Sequence, residues 1–172
     1  NWVGDFVMAT AAFARLRAAF PAATITLGLR PFLSPLLSGA EWFDDTIPMP
    51  RAGGVGGLWR QVQAVRRGRF DLAVVLPNSL ETGLVPWLAG IPLRLGYRQN
   101  RPGLLNLGLR AKTRRRWFQR RLGPSRVPVP MPSYYRELLD VLGIPAAGDH
   151  PVLAVTPFDS EEEAIALANA TE

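Results

Sequence analysis

Apolar residues return along the opening segment at Phe6, Val7, Phe13, Leu16 and Phe20, set among small alanines. The spacing predicts a helix over 6–20 with one oily side, stopped by Pro21. Residues 24–29 alternate β-branched and apolar side chains and predict a strand; Pro31–Leu37 reads as a short helix or turn, and 45–49 as a short strand bracketed by prolines. Gly53 to Gly57 lead into a helix at about 58–67. Residues 70–76 form an apolar run closed by Pro77, the pattern of a strand buried on both faces. Ser79 can cap a helix that runs to about Ala89 and ends at Gly90, and 94–97 adds another short strand. Pro132 and Ser133 open a helix over 134–142, closed by Gly143, and Ser160-Glu161-Glu162-Glu163 forms a capping box before a helix reaching about Ala170.

Strands alternating with helices predict an α/β fold: a Rossmann-like parallel sheet with helices on both faces. Ligands in such folds gather at the carboxyl ends of the strands, where Gly4-Asp5 and Pro77-Asn78-Ser79 both fall. A helix starting near residue 5 calls for a strand before it, and the last helix stops without a successor. The expectation is therefore a chain cut at both ends, with its first strand missing and a gap in the sheet.

Nearly half of the 172 residues are hydrophobic (48%), enough for one domain with a real core. No apolar run reaches the roughly 20 residues that cross a bilayer. Cysteine is absent and the start is unlike a secretion signal, so a cytoplasmic location is expected, without disulfides. The single histidine, His150, stands far from other ligand types, and no metal site is expected.

The net charge of +6 is unevenly spread. From Thr82 to Arg136 there is no Asp or Glu, while Arg94, Arg98, Arg101, Arg110, Lys112, Arg114, Arg115, Arg116, Arg120, Arg121, Arg126 and Arg136 all fall there. Such a stretch is either a solvated surface or an anion-binding face for phosphate, carboxylate or acidic lipid.

Three clusters could carry chemistry. Asp5, in the first turn of a helix, meets unpaired backbone N–H groups and the positive end of the dipole. It serves either as a helix-starting acid or as a base that takes a proton from a substrate hydroxyl, late in an oxocarbenium-like transition state. Gly4 beside it either clears a ligand's path or eases helix packing. Asn78 and Ser79 offer donors and acceptors to sugar hydroxyls, or simply cap the next helix. Arg98 and Arg101 carry forks for carboxylate or phosphate, or are solvated turn residues. A competing reading is a polyanion or nucleic-acid binding module using the arginines of 94–126, with Trp117 and Phe118 as stacking surfaces.

Three stretches, NWVGDFVMAT at 1–10, IPMP at 47–50 and LPNSLETGLVPWLAGIPLRLGYRQNRPGLLN at 76–106, together resemble the ADP-heptose:lipopolysaccharide heptosyltransferases, glycosyltransferase family 9, and the heptosyltransferase II branch most closely. The resemblance covers this whole chain but about half of a family member. It implies two Rossmann-like domains facing across a cleft (GT-B), with 1–150 as the acceptor-binding domain and 151–172 as the start of a connection to a donor-binding domain. It also implies an inverting transfer of L-glycero-D-manno-heptose from ADP-heptose to inner-core lipopolysaccharide, without cofactor or catalytic metal. Asp5 takes the role of base and Gly4 faces the donor. Asn1 and Trp2 line the cleft, and Asn78, Ser79, Arg98 and Arg101 bind the acceptor. The implied partners are ADP-heptose, a Kdo- and heptose-containing lipid A acceptor and the cytoplasmic surface of the inner membrane, with no nucleic acid. By itself this stretch is expected not to turn over.

Overall fold

The computed structural model describes residues 3–99, 101, 103–109, 113–114, 125–126 and 131–144. The chain opens with helix α1 (Val3–Ala19), followed by strand β1 (Thr26–Leu29), a 3-10 helix (Pro31–Leu37) and strand β2 (Asp45–Pro48). Next come helix α2 (Val55–Arg67), strand β3 (Leu72–Val75), helix α3 (Leu80–Ala89) and strand β4 (Leu93–Gly96). The two-residue strands β5 (Thr113–Arg114) and β6 (Ser125–Arg126) pair antiparallel, and helix α4 (Met131–Asp140) follows. The capping box at 160–163, His150 and the expected connection at 151–172 lie outside the described residues.

β1 and β2 pair in parallel with Thr26 opposite Asp45 and Leu29 opposite Pro48. β3 and β4 do the same, Leu72 opposite Leu93 and Val75 opposite Gly96. Residues 107–109 extend the second pair on the far side of β4, through a parallel bridge between Leu95 and Leu107 and an Arg98 N–H donating to the Leu109 carbonyl at 2.9 Å. Among the described residues the two parallel pairs share no ladder; α1 joins them by packing.

That packing corrects the expected one-sided helix. Phe6 belongs to a cluster with Leu29, Leu33, Leu37 and Trp42, whereas Ala9 and Ala12 lie against Tyr135, Leu139 and Ile144. A hydrophobic count sees the alanines as filler. In space their small side chains let a second layer approach closely, so α1 is buried on two sides.

β3 departs from expectation too. Leu72, Ala73 and Val74 are only partly covered, and Val75 alone is buried. Leu72, Val74 and Leu76 pack against the buried cluster of Leu95, Tyr97 and Leu138, and α3 also contacts the strand. Only one of its edges carries a hydrogen-bonded neighbour among the described residues, and the strand stays short of full burial.

The helices fall into two pairs. Gln61 Nε2 in α2 donates to Glu81 Oε1 of α3 at 3.4 Å, and Arg66 Nη2 reaches the Leu88 carbonyl at 2.9 Å. On the other side, Arg15 Nη2 of α1 donates to Asp140 Oδ1 at 3.2 Å and to the Ile144 carbonyl at 2.8 Å, tying α1 to the end of α4. Leu138 and Leu139 of α4 are fully buried. No helix among the described residues is long and apolar enough to cross a membrane.

Candidate active site

Asn78, Ser79 and Arg101 come together where β3 and β4 end. After β3 the chain turns through Pro77 and Asn78 into α3, and the Ser79 hydroxyl accepts the Thr82 N–H at 3.3 Å. The capping reading of Ser79 is therefore realised. The single Thr82 hydroxyl proton is shared between the Ser79 carbonyl at 2.9 Å and the Pro77 carbonyl at 3.2 Å, which stiffens the turn. Gly90, left-handed at φ 83°, closes the helix as expected. Asn78 stays exposed at the front of the turn.

Arg101 reaches this turn from the loop after β4, and it is 0% exposed. Its Nη1 donates to the Pro77 carbonyl at 2.9 Å, and at 3.4 Å to both the Ser79 carbonyl and Thr82 Oγ1. Its Nη2 donates to the Tyr97 carbonyl at 2.6 Å and to Asn78 Oδ1 at 3.2 Å. Burial holds this guanidinium below its usual range, opposed by Tyr134. A Cβ at Gly83 would lie 3.0 Å from Arg101 Cδ, so the glycine admits the arginine stem. The expectation of an arginine gripping the acceptor meets a different geometry: the fork is spent on protein oxygens within the wall. Arg98 is exposed.

All three tyrosines of the chain meet behind Asn78. Tyr97 and Tyr134 stack with ring centres 3.7 Å apart and planes 11° from parallel, and the Tyr97 hydroxyl donates to the Tyr134 carbonyl at 3.0 Å. Burial, then the nearby Glu137 and Tyr134, push the Tyr97 phenol far above its ordinary range. The Asn78 amide Nδ2 donates to the Tyr134 hydroxyl at 2.5 Å. Tyr135 meets Tyr134 edge-on at 5.7 Å. The Tyr135 phenol is pushed up to about 12, first by burial and then by the charges of Asp5 and Tyr134.

The start of α4 thus responds to two candidates 73 positions apart in sequence: Asn78 bonds Tyr134, and the charge of Asp5 acts on Tyr135. Sequence reading placed Tyr134 and Tyr135 on a helix without giving them a role. Their only signal was a Tyr pair in the first turns of an amphipathic helix, which ordinary core packing explains equally well.

Asp5 is half-buried in the first turn of α1 and Gly4 is exposed. Among the described residues, a Cβ built on Gly4 would meet nothing within 4 Å. Asn1 and Trp2 lie outside the described residues, as do Trp117, Phe118 and most of the arginines from 110 to 121.

No protein-family model matches the chain. It is 40% identical over 110 residues to lipopolysaccharide heptosyltransferase 2 of Escherichia coli strain K12, a match covering 62% of this chain and 32% of that enzyme. Its fold is similar to that of E. coli ADP-heptose lps heptosyltransferase II, with a TM-score of 0.65 and 28% identity over 99% of this chain and 48% of the other. It also shares the fold of a family 9 glycosyl transferase from Veillonella parvula DSM 2008, with a TM-score of 0.65 at 19% identity over 84% of this chain and 39% of that one. The matches span from about a third to about half of these proteins' lengths. None of them points to a nucleic-acid module. The sequence likeness and the shared fold agree on one relationship: this chain is a homologue of part of lipopolysaccharide heptosyltransferase 2, built on the family 9 glycosyltransferase fold.

Proposed function

We propose that the complete protein is an inverting heptosyltransferase and that this chain supplies its acceptor-binding domain, residues 1–150, with 151–172 leading towards a donor-binding domain. Asp5 is the base. It takes a proton from a hydroxyl of an inner-core heptose, and that oxygen displaces ADP from ADP-L-glycero-D-manno-heptose on the face opposite the leaving group. Gly4 keeps the donor's approach open. Asn1, Trp2, Asn78 and Ser79 line the acceptor side, and Arg98 meets the acidic groups of a Kdo-containing lipid A acceptor. Arg101 serves the same site from within the wall. Work on such a lipid places the enzyme at the cytoplasmic surface of the inner membrane, where each nearby basic residue adds about 1 kcal/mol of attraction to anionic lipid.

The observation that carries this reading is that Asn78 bonds Tyr134 while the charge of Asp5 acts on the adjacent Tyr135, in a chain 40% identical over 110 residues to a heptosyltransferase 2. The test is Asp5→Asn in the full-length protein, assayed with ADP-heptose and a heptosylated Kdo–lipid A acceptor. A loss of at least about 100-fold in kcat with unchanged Tm is the expected result for a general base. Near-normal turnover would remove Asp5 from the chemistry, and a large fall in Tm would assign it to helix capping.

A further inference from the structure

A guanidinium carries five donors and no acceptor, so whatever amide atom faces it must be an oxygen. Arg101 Nη2 lies 3.2 Å from the Asn78 side chain, which settles the orientation of that amide: Oδ1 points inward and Nδ2 points to the Tyr134 hydroxyl and the exposed front of the turn. The arginine is itself held on several sides. It is fully buried and anchored on the Tyr97, Pro77 and Ser79 carbonyls, with Gly83 pressed against its stem. Tyr134 is held in turn by its stack on Tyr97 and by the Tyr97 hydroxyl on its carbonyl.

We propose that Arg101 is a positioning residue, holding the Asn78 amide with its oxygen inward so that an N–H of Asn78 faces the acceptor. The group presented to ligand is then a donor, and it selects an oxygen with lone pairs to offer, such as a sugar hydroxyl, ring oxygen or carboxylate. The claim rests on the acceptor binding in front of Asn78, as proposed above. It differs from a direct grip in one respect: the arginine's whole effect passes through Asn78.

The experiment uses the full-length protein with Arg101→Lys, Arg101→Met, Asn78→Ala and the double variants. The first readout needs no turnover. The Asn78 side-chain amide resonances, identified by their loss in Asn78→Ala, are expected to shift or broaden in Arg101→Met and in Arg101→Lys, because an ammonium lacks the two-point fork. Unchanged resonances in both would overturn the proposal. The second readout is kcat/KM for the acceptor, with Tm measured alongside. Replacing Arg101 is expected to cost roughly 10- to 100-fold, the scale of a lost charged hydrogen bond, but less than about 3-fold once Asn78 is already alanine. Losses that multiply in the double variant would overturn the proposal in favour of direct contact, and full rescue by lysine would assign the effect to charge alone. Should Arg101→Met fail to fold, Arg101→Lys carries both readouts. A wild-type protein that transfers no heptose would sink the heptosyltransferase reading, and the resonance test would still decide this one.

Discussion

Asp5, at the start of α1, and Tyr135, in the first turns of α4, interact across 130 positions of sequence, the carboxylate helping to hold the phenol at about 12 rather than 10.0. Burial is the larger cause, so the charge of Asp5 adds to an environment that already disfavours phenolate. Asp5→Asn should therefore lower the Tyr135 midpoint only in part, read from phenolate absorbance during alkaline titration. A return to the ordinary tyrosine value would mean that burial is not the main cause.

The same phenol makes the fold sensitive to base. Its folded-state pKa is raised, so its contribution to stability is fully present below about pH 10 and is lost as pH rises from 10 through about 12. Urea midpoints measured across that window should fall in the wild type and fall less in Tyr135→Phe.

Asp44 behaves in the opposite sense. Its Oδ2 accepts the Ile25 N–H and the Arg17 guanidinium, each at 2.6 Å, and these bonds, led by the backbone one, hold its pKa below 3.8. The lowered value means that its contribution is present above about pH 4 and is lost as pH falls through the folded-state pKa. Carboxyl chemical shifts should place the Asp44 midpoint below 3.8, and Arg17→Ala should raise it without restoring the full value, because the Ile25 bond stays.

Arg15 is the clamp between α1 and α4, with only 4% of its side chain exposed. Arg15→Met keeps much of the stem but strips a hydrogen bond from the Ile144 carbonyl and the ion pair from Asp140. The expected cost is about 2–3 kcal/mol, because a buried carbonyl is left short of a donor. Asp140→Asn should cost much less, since the Asp140 side chain is 52% exposed and its pair is screened. Chemical denaturation of the full-length protein measures both.

Gly4→Ala separates packing from ligand access. Among the described residues no atom would touch the added methyl, and alanine is the better helix former by up to about 1 kcal/mol, so Tm should hold or rise. If Gly4 clears the donor's path, kcat/KM for ADP-heptose should drop at least about 10-fold in that equally stable protein, since a misplacement near the reacting atoms is costly. Unchanged activity would assign the glycine to no role in catalysis.

Much of the local structure was legible without coordinates. Pro21, the Ser79 cap and the left-handed Gly90 mark boundaries through rules that act within a few residues, and β4 and the 3-10 helix at Pro31–Leu37 followed from equally local pattern. The errors arose where a residue's burial depends on layers brought from elsewhere. The alanines of α1 turned out to be a second contact face, and the apolar run of β3 stayed half-covered.

The site divides along the same line. The chain alone nominated Asp5, Gly4, Asn78, Ser79, Arg98 and Arg101, because the chemistry of a side chain and its place at a helix start or strand end are written in short stretches. The opposite fates of Arg98 and Arg101, three residues apart, were decided only in three dimensions: one is exposed, the other fully buried against five protein oxygens. The same holds for Tyr134 and Tyr135, whose part in the site comes from α4 packing on α1 and β3. Hydrogen bonds and burial are set by which distant segments close around a group, and no local pattern of residues carries that information.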